Sequence, residues 1–444
     1  MTGTAALRLV TSPPQHQPSE VLGDLVVFPR LGSTPSLAAD ADDFDAHVQR
    51  YGPRPSASGA HGQALITRLH DIGLTGRGGG HFPAARKWEA VLAAGGGGTV
   101  VANGAEGEPA SAKDAALLHS RTHLVLDGLV CAAEAVGADE CVVWLHEGAH
   151  STRVAVQRAL QERRARRLPE PPIRIEVGPD RYLSGEATAV LRTLAGGPTL
   201  PQLARDPAAP WGRGNRPILL HNVETLARTA IAARTSAASY VPTSLITVVN
   251  HDRRVVCEVS AETTVAEVVA SWWRPRSGTR TAVPQAVLLG GYGGSWLPWS
   301  HAASLPLDPT ALREVGLSLG AGVIAPLPAD ACGVAEAAAL VGYLADSSAR
   351  QCGPCLFGLA AVADLTSALA EGSMSRSQAR SLERFLQEIA GRGACRHPDG
   401  AIRMLSTALR TFADDVHSHR SGRRCLITGT RAPKPGLLPL PESA

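Results

Sequence analysis

Lysine is nearly absent from this chain of 444 residues, because only three of its 43 lysine and arginine residues are lysines, Lys87, Lys113 and Lys434. Such a preference for arginine over lysine usually reflects the composition of the genome. Each remaining lysine therefore indicates a position where a compact ammonium is preferred to a planar guanidinium. Lys87 and Lys113 lie in or just after glycine-containing loops. They are candidates for a binding site, although three lysines can also fall in such places by chance.

Long apolar runs are absent as well. No stretch of 18 apolar residues occurs, and residues 1–30 lack a basic segment that leads into an apolar one. This pattern predicts neither a membrane span nor a signal peptide, so we expect no membrane insertion and a cytoplasmic protein. The net charge of +3 is too small to indicate nucleic acid as a partner.

Cysteine is too sparse for a disulfide framework in a chain without a secretory signal. The eight cysteines are Cys131, Cys141, Cys257, Cys332, Cys352, Cys355, Cys395 and Cys425. The apolar surroundings of Cys131 and Cys141 predict buried, inert thiols. The pair in Cys352-Gly-Pro-Cys355 differs, and metal binding, a dithiol redox role and free thiols all remain open for it.

Glycine is concentrated in residues 73–88, where five glycines fall within eight residues. Without Cβ atoms this stretch can approach a ligand closely and direct backbone N–H groups at it. Apolar spacing predicts one helix over residues 61–72 and another over 83–93. The N-terminus of the second helix would face whatever the loop holds, which favours a phosphate.

Polar turns follow the predicted strands. Residues 103–109 come directly after a short apolar strand at 99–102, in a β-α-β pattern that continues with a helix at 117–136 and a strand at 140–145. Ligands of open α/β sheets collect at the carboxyl ends of strands, so this turn is a candidate wall of a site. Glu186 would open a helix at 187–194, where the helix dipole favours a carboxylate, and residues 222–226 open another helix.

Changes in composition and in the order of predicted helices and strands along the chain predict an α/β multidomain protein in five parts. These are a loosely packed, flexible arm at 1–58 with one short helix possible at 43–50, an α/β Rossmann-like domain at 59–239, a small β-grasp module at 240–300, a helical region at 301–425 and a disordered, proline-rich tail at 426–444.

With these loops in place, the chain resembles the NADH-binding flavoprotein subunit of respiratory NADH:quinone oxidoreductase and its hydrogenase and formate dehydrogenase relatives. The resemblance extends over about residues 60–415 in the family's order. It rests on Gly76-Arg-Gly-Gly-Gly-His-Phe82 with Lys87-Trp88, on Asn103 and Glu106 to Asp114, on Tyr182, Gly185, Glu186 and Thr188, and on Asn222-Val-Glu-Thr-Leu226.

The resemblance implies an FMN site, a soluble-ligand-binding β-grasp domain and a C-terminal helical iron-sulfur bundle. It implies catalytic roles for Glu108 and Glu186. The cofactor-binding residues that it implies are Gly76, Arg77, Gly78, Gly79, Gly80, Phe82, Lys87, Asn103, Glu106, Tyr182, Gly185, Glu186, Asn222 and Thr225.

For the iron-sulfur cluster the resemblance implies Cys352, Cys355 and Cys395 as metal ligands. The family's first cysteine corresponds to Ala349, which leaves three thiolates for a 3Fe-4S cluster or for a 4Fe-4S cluster. In the second case the last iron would take His397, Cys332, Cys425 or an exogenous ligand.

Two further departures fall on the nicotinamide side. Ala187 replaces the family's second glutamate, and residues 205–210 contain no phenylalanine where the family has one for stacking. Ala105 replaces an acidic residue, and Asn103-Gly-Ala-Glu106 is closer to the related Rnf-complex C subunit. Flavin binding is therefore better preserved than binding of NAD(H), which stays open.

The expected function is a flavin- and iron-sulfur-dependent, NADH dehydrogenase-like oxidoreductase subunit. It would pass electrons from NAD(P)H or another small-molecule donor through FMN to the cluster and then to an iron-sulfur or ferredoxin-like partner, with attachment to a membrane complex left open. The alternative is a non-catalytic binding or assembly subunit that keeps the fold and has lost NADH oxidation.

Overall fold

The computed structural model describes residues 25–27, 42–203, 211–213, 216–250, 253–274 and 283–440. Within them no helix has the length and apolar character needed to cross a membrane. The strands are β1 Leu25–Val27, β2 Thr99–Asn103, β3 Glu140–His146, β4 Ile173–Gly178, β5 Trp211–Arg213, β6 Arg216–Asn222, β7 Thr243–Asn250, β8 Arg253–Ser260, β9 Ala286–Leu289, β10 Ser295–Pro298 and β11 Val323–Leu327.

The helices of the first half are α1 Phe44–Tyr51, α2 Ala60–Asp71, α3 Ala84–Ala93, α4 Lys113–Ser120, α5 Thr122–Val136, α6 His150–Ala165, α7 Ala187–Leu194 and α8 Val223–Arg234. Those of the second half are α9 Val265–Trp272, α10 Trp299–Ala302, α11 Pro309–Glu314, α12 Gly333–Asp346, α13 Ala360–Ala370, α14 Arg376–Ile389, α15 His397–Thr411 and α16 Ala413–Arg420. A π-helix at Pro354–Leu359 precedes α13.

The first sheet has the order β4-β3-β2-β6-β5 and is parallel except for β5, which pairs antiparallel with β6. Central β2 and β3 are apolar runs buried on both faces, as expected for parallel strands covered by helices. The register of β2 and β6 places Asn103 opposite Asn222 at their carboxyl ends. Two predicted site residues are thereby adjacent.

The second sheet has the order β1-β8-β7-β11-β9-β10. Strands β7 and β8, helix α9 and strand β9 follow the predicted β-β-α-β order. The module does not end at residue 300, however, because β11 inserts between β7 and β9. All five residues of β11 are buried, so this apolar segment belongs to the sheet rather than to the helical region that follows.

Helices α12 to α16 pack around a separate apolar core that includes Leu340, Leu344, Leu359, Met404 and Leu405. In the first half, the predicted single helix over residues 117–136 is wrong. It breaks into α4 and α5 at Arg121, whose φ of −138° is not helical. Arg121 is fully buried and pairs with Asp42, so tertiary contacts override the helical pattern.

The expectation of a loosely packed arm is wrong for residues 42–58. Helix α1 places His47 against α5, where its Nε2 lies 2.9 Å from Asp127 Oδ2. His47 is only 1% exposed. The residues before 42, apart from the β1 backbone, lie outside the described chain.

The tail is not disordered as far as residue 440. Leu437 and Leu438 are buried in the core of the helical region. The Glu336 carboxylate on α12 accepts hydrogen bonds from the N–H groups of Gly436 at 2.7 Å and Leu437 at 3.0 Å. Prolines predicted disorder here, but two leucines and one buried carboxylate hold the segment in place.

Asp127 supplies the first stability prediction. Its carboxylate contacts Arg163 at 2.7 Å, His47 and Arg234, and all of these side chains are at least nine-tenths buried. Asp127→Asn leaves the buried Arg234 without its counter-ion and Arg163 with Glu170 alone, so we expect a loss of about 3 kcal/mol in the free energy of unfolding, measured by chemical denaturation. Asp45→Asn is the control, because the exposed Asp45–Arg166 pair contributes little. Equal losses in the two variants would contradict this interpretation.

Candidate functional site

A cavity of about 310 Å³ opens at the carboxyl ends of β2 and β6. Three parts of the chain line it. The first sheet and its loops supply Arg77, Gly78, Gly79, Asn103, Glu106, Glu108, Lys113, Tyr182, Gly185, Glu186 and Asn222, the second sheet supplies Gly290, Gly293, Gly320 and Ala321, and the helical region supplies Leu344, Arg396, His397, Gly400 and Arg403. The volume is within the range of about 300–1,000 Å³ that is usual for small-molecule sites.

The glycine-rich loop forms one wall. Its ends are joined by a bridge between Thr75 and Pro83 and by the Gly76 N–H, which donates to the Phe82 carbonyl at 2.8 Å. Gly79 has φ of +93°, which L side chains rarely adopt, and a Cβ on Gly79 would lie 3.5 Å from the Gly320 carbonyl oxygen. The backbone conformation therefore favours glycine at Gly79, whereas the space beside the second sheet would admit a Cβ in ordinary contact.

Arg77 anchors this loop from inside the protein. Its backbone N–H donates to Thr225 Oγ1 at 2.9 Å, and its Nη1 donates to Ser244 Oγ at 2.8 Å. Burial lowers the pKa of the Arg77 guanidinium. Arg77 therefore connects α8 through its backbone N–H and β7 through its side chain.

Two asparagines end the paired strands and face different loops. Asn103 Nδ2 donates to the Gly185 carbonyl at 2.8 Å, and Asn222 Nδ2 donates to Asp114 Oδ2 at 2.6 Å. A Cβ on Gly185 would lie 2.4 Å from the Ala105 carbonyl oxygen. The loops after β2 and β4 thus touch backbone to backbone.

Lys113 is the buried cation of the site. Its ammonium lies 2.6 Å from Asp114 Oδ1 and 3.3 Å from Glu224 Oε2. Burial alone would lower the pKa of Lys113, but the carboxylates of Asp114 and Glu224 outweigh it and raise that pKa. The resemblance included Lys113 and Asp114 without giving them a site role, so sequence reasoning missed Asp114 and had Lys113 only as a candidate among the few lysines. The unusual survival of a lysine was the signal that pointed to Lys113.

The charges continue behind Lys113. Arg228 on α8 contacts Glu224 at 3.4 Å and Glu258 on β8 at 2.9 Å. The side chains of Lys113, Glu224, Arg228 and Glu258 are at most 4% exposed. We call these four residues the charged chain. It joins the loop before α4 to the second sheet.

Glu108 has an enclosed carboxylate at the cavity wall. Oε2 accepts from the Tyr292 N–H at 2.9 Å and from the Tyr182 hydroxyl at 3.2 Å. Burial raises the pKa of Glu108 to about 7, against the lowering effect of these hydrogen bonds. This side chain can therefore gain or lose a proton near neutral pH.

Glu106 and Glu186 line the cavity and also cap helices. Glu106 accepts from the N–H groups of Asp114 at 3.3 Å and Ala115 at 3.2 Å, at the start of α4. Glu186 is the N-cap of α7 and accepts from the Ala189 N–H at 3.0 Å, as the dipole argument predicted. Burial raises the pKa of Glu186.

Five predicted cofactor residues lie outside the cavity lining, namely Gly76, Gly80, Phe82, Lys87 and Thr225. Lys87 Nζ lies 3.4 Å from the Leu220 carbonyl oxygen on β6, and burial lowers its pKa. Phe82 is covered by the Arg86 guanidinium, 5.6 Å from the ring centroid. Their assignment to the cofactor stays a prediction.

Sequence reasoning also missed His81 and the residues that arrive from the second half of the chain. His81 has φ of +45°, and neither ring nitrogen has a hydrogen-bond partner among the described residues. Burial lowers the pKa of His81 to about 4.

Arg403 donates from Nε to the Gly293 carbonyl at 3.2 Å. No local pattern predicts that residues so distant from Asn222 in the chain complete the cavity.

The three predicted cluster cysteines lie together. The Cys355 pKa is raised to about 12 by burial and then by the nearby thiols of Cys352 and Cys395. Burial raises the pKa of Cys395 to about 11, and Glu186 adds to this rise. Cys395 therefore lies close to a residue of the cavity wall. The His397 ring lines the cavity and packs edge-on against Tyr182, with centroids 5.5 Å apart.

The proposed fourth ligands are placed elsewhere or already bonded. Cys332 and Cys425 form a separate group with Asp415 and His419. His397 Nε2 lies 2.7 Å from the Leu344 carbonyl oxygen. Ser348, next to Ala349, lies with its buried Oγ beside the Cys355 thiol, where it counteracts the rise in the Cys355 pKa.

Two family models match this chain. Residues 69–230 match the Nuo51 FMN-binding domain, and residues 335–419 match the NADH-ubiquinone oxidoreductase-F iron-sulfur binding region. Together they cover more than half of the chain. The chain belongs to the family of F-type subunits of NADH-quinone oxidoreductase. It is a divergent member, an electron-transfer oxidoreductase subunit with FMN and an iron-sulfur cluster as its cofactors.

The F-type NADH-quinone oxidoreductase subunit of Rickettsia bellii (strain OSU 85-389) is 25% identical over 376 residues, covering 80% of this chain and 89% of the relative. An F-type subunit of Rhizobium meliloti (strain 1021) is 26% identical over 382 residues, covering 81% and 90%. Both names describe subunits of larger assemblies. They do not identify the partners of this chain.

Among solved structures, the chain is similar to an NAD+-reducing nickel-iron hydrogenase in the H2-reduced state, with a TM-score of 0.72 and 22% identity. The match covers 85% of this chain and 65% of the hydrogenase chain. At this identity the likeness establishes the fold alone. The predicted α/β class is confirmed.

Glu108 gives a pH prediction. Its pKa rises from 4.5 to about 7 on folding, so its contribution to stability is present below about pH 4.5 and is lost as pH rises through about 7. Glu108→Gln removes this loss. Between pH 5 and pH 8 the unfolding free energy of the variant should therefore fall by about 2 kcal/mol less than that of the wild type.

Chemical denaturation across this pH range measures the difference. Glu147→Gln, at an exposed position, should keep the wild-type pH dependence. The same pH dependence in the Glu108 variant and the wild type would show that Glu108 does not titrate in this window.

Proposed function

We propose that this subunit oxidises NADH or another soluble donor at the cavity and passes single electrons through the cysteine group to a partner protein. The observation that carries the proposal is adjacency. Glu186 and His397 line the cavity, the pKa of Cys395 responds to the charge of Glu186, and His397 follows Cys395 by two residues. The two redox sites would thus share one wall, which suits direct electron transfer between them.

The residues present fit FMN. The cavity is lined by glycines, which a ligand can approach closely, and by the guanidinium groups of Arg396 and Arg403, which a phosphate would complement. The Lys113 ammonium is already paired with Asp114 and Glu224. His81, at the end of the glycine-rich loop and outside the cavity lining, has a buried ring that can donate or accept and has no partner among the described residues. Gly78 and Gly79 leave room for a planar ring, and Asn103 and Asn222 would border it.

The cysteine group fits an iron-sulfur cluster with three thiolates. Ser348 is our candidate for the fourth position, because it precedes Ala349 and its buried Oγ lies beside the Cys355 thiol. An exogenous ligand is the alternative. Of the earlier candidates, His397 is bonded to Leu344, and Cys332 and Cys425 lie with Asp415 and His419.

When bound, FMN would supply the conversion of a two-electron hydride donor into single electrons for the cluster. The protein's own contribution is positioning and proton control. Glu108, with a pKa near 7, would hold or release a proton at the cavity wall, and Tyr182 and the Tyr292 N–H fix its carboxylate. Glu186 would keep the wall near Cys395 in place through its cap on α7.

Fewer of the family's residues are present at the binding site for the electron donor than at the flavin site. Ala187 is exposed at the start of α7, so no second carboxylate stands beside Glu186 there. The loop at 205–210, which lacks the family's phenylalanine, lies outside the described residues. NADH is therefore the proposed donor on family membership, with Glu108 and Phe82 as its borders.

The finer layout is part of the same proposal. Residues 59–239 would form the Rossmann-like FMN domain, the second sheet including β11 the β-grasp domain, and α12 to α16 the iron-sulfur bundle. A ferredoxin-like or iron-sulfur partner would take the electrons. A cytoplasmic location follows from the expected reduced thiols.

An anaerobic absorption spectrum with donor titration tests the function. Flavin bands with a broad iron-sulfur shoulder that bleach on adding NADH would support it. Flavin that does not bleach with NADH or NADPH but does so with reduced ferredoxin would move the donor to a protein. A colourless protein after reconstitution with FMN, iron and sulfide would favour the non-catalytic alternative.

The glycine-rich loop offers a matched pair for the flavin site. Gly78 lines the cavity, and its added Cβ would make only an ordinary contact of 3.4 Å with Asn222 Cβ, whereas Gly80 lies off the lining and a Cβ there meets nothing within 4 Å. We expect Gly78→Ala to weaken FMN binding roughly tenfold, or about 1.4 kcal/mol, because the methyl group takes space beside the ring.

Gly80→Ala should bind FMN as the wild type does, and both variants should melt at the wild-type temperature without flavin. Fluorescence titration of the apoprotein with FMN measures this. Equal affinity of both variants and the wild type would place the flavin away from Gly78.

A further inference from the structure

Four buried metal-ligating side chains meet outside the site described above. They are Cys332, Asp415, His419 and Cys425, and one ligand atom from each lies within 4.8 Å of all the others. The four residues are between 0% and 6% exposed. We call them the Cys332 group. We propose that it binds one divalent transition-metal ion of the zinc type, as a structural site separate from the iron-sulfur cluster.

The separations fit a single tetrahedral ion. Asp415 Oδ2 lies 3.3 Å from both sulfurs and 3.7 Å from His419 Nε2, and Cys332 Sγ lies 3.6 Å from His419 Nε2. Zinc bonds of about 2.3 Å to sulfur and about 2.0 Å to nitrogen and oxygen give tetrahedron edges of about 3.3–3.8 Å. Two irons of a cluster would spread the four ligands further apart.

The surrounding backbone orients these ligands as a metal site requires. Cys332 Sγ accepts from the Ala335 N–H and Cys425 Sγ from the Thr428 N–H, each at 3.4 Å. Asp415 Oδ1 accepts from the Leu426 N–H at 2.8 Å, which leaves Oδ2 for the ion. Such outer hydrogen bonds stabilise thiolates and fix the carboxylate direction.

His419 directs one ring nitrogen, Nε2, at the other members of the Cys332 group. Its ring is fully buried, and Nδ1 has no hydrogen-bond partner within the described part of the chain. Nε2 faces polar atoms of Cys332 and Asp415, which belong to the same group. A metal bond at Nε2 would compensate the cost of burying this ring.

The donor set selects the metal. Two sulfurs and an imidazole disfavour magnesium and calcium, which take oxygen ligands. Four protein ligands in a buried group leave no open position for substrate, so the ion is structural rather than catalytic. Cys332 and Cys425 also fall outside residues 335–419, the range that matches the family's iron-sulfur region.

The ion would fasten the end of the chain to the helical region. Cys332 is the N-cap of α12, Asp415 and His419 lie one turn apart on α16, and Cys425 follows α16. The same α12 holds the tail through Glu336. One ion would thus close the chain between residues 332 and 425 and position the segment that leads into the tail.

Metal analysis of the full-length chain, expressed with zinc supplied, tests the proposal. We expect one zinc per chain in the wild type, in Cys257→Ala and in the Cys352→Ser/Cys355→Ser double variant. Cys425→Ser should lower the content at least about tenfold, because a buried four-ligand site depends on every ligand. Zinc retained by Cys425→Ser, or lost from the double variant, would overturn the site.

A second measurement needs no substitution. Cobalt(II) loaded into the chelator-treated wild type should give tetrahedral bands with a charge-transfer intensity that corresponds to two thiolates. Three thiolates would place the ion at Cys352, Cys355 and Cys395 and overturn the proposal. Absence of any bound zinc or cobalt would mean that the Cys332 group is held by S–H hydrogen bonds to Asp415 alone, which also overturns it.

Discussion

The charged chain of Lys113, Glu224, Arg228 and Glu258 is the interaction on which the site depends. Each member is buried, and the charges balance one another along the chain. Burying charges is costly, so such a chain is poor evidence for stability by itself. Its role here is to position other elements. It fixes the end of β6, the start of α4 and the second sheet relative to one another. The cavity lies where these elements meet.

The site residues differ in whether the sequence could predict them. Asn103 and Glu106 follow a predicted strand, so chain-local rules placed them at one edge of the sheet, whereas the site roles of Gly185 and Asn222 came from the family resemblance. Gly320, His397 and Arg403 could not be found in this way, since only tertiary packing brings them to the cavity.

Composition is misleading at both ends of the described chain. Proline, serine and alanine predicted a loose arm and a disordered tail, yet His47 and Leu437 are buried. Single anchoring contacts determine whether these segments are ordered. The average composition of a segment cannot reveal such contacts. The predicted continuous helix across α4 and α5 failed for a related reason, because the ion pair of Arg121 with Asp42 outweighs a continuous helical pattern.

Tyr292 connects the tail to the chemistry. Its backbone N–H holds the Glu108 carboxylate, while its hydroxyl donates to the carbonyl of Pro439. Opposite ends of one residue therefore touch the cavity wall and the last described part of the chain. Residues 436–440 therefore help to hold the cavity wall. A fusion, a cut or a docked partner at this end of the chain would change the position of Glu108 through one residue, Tyr292.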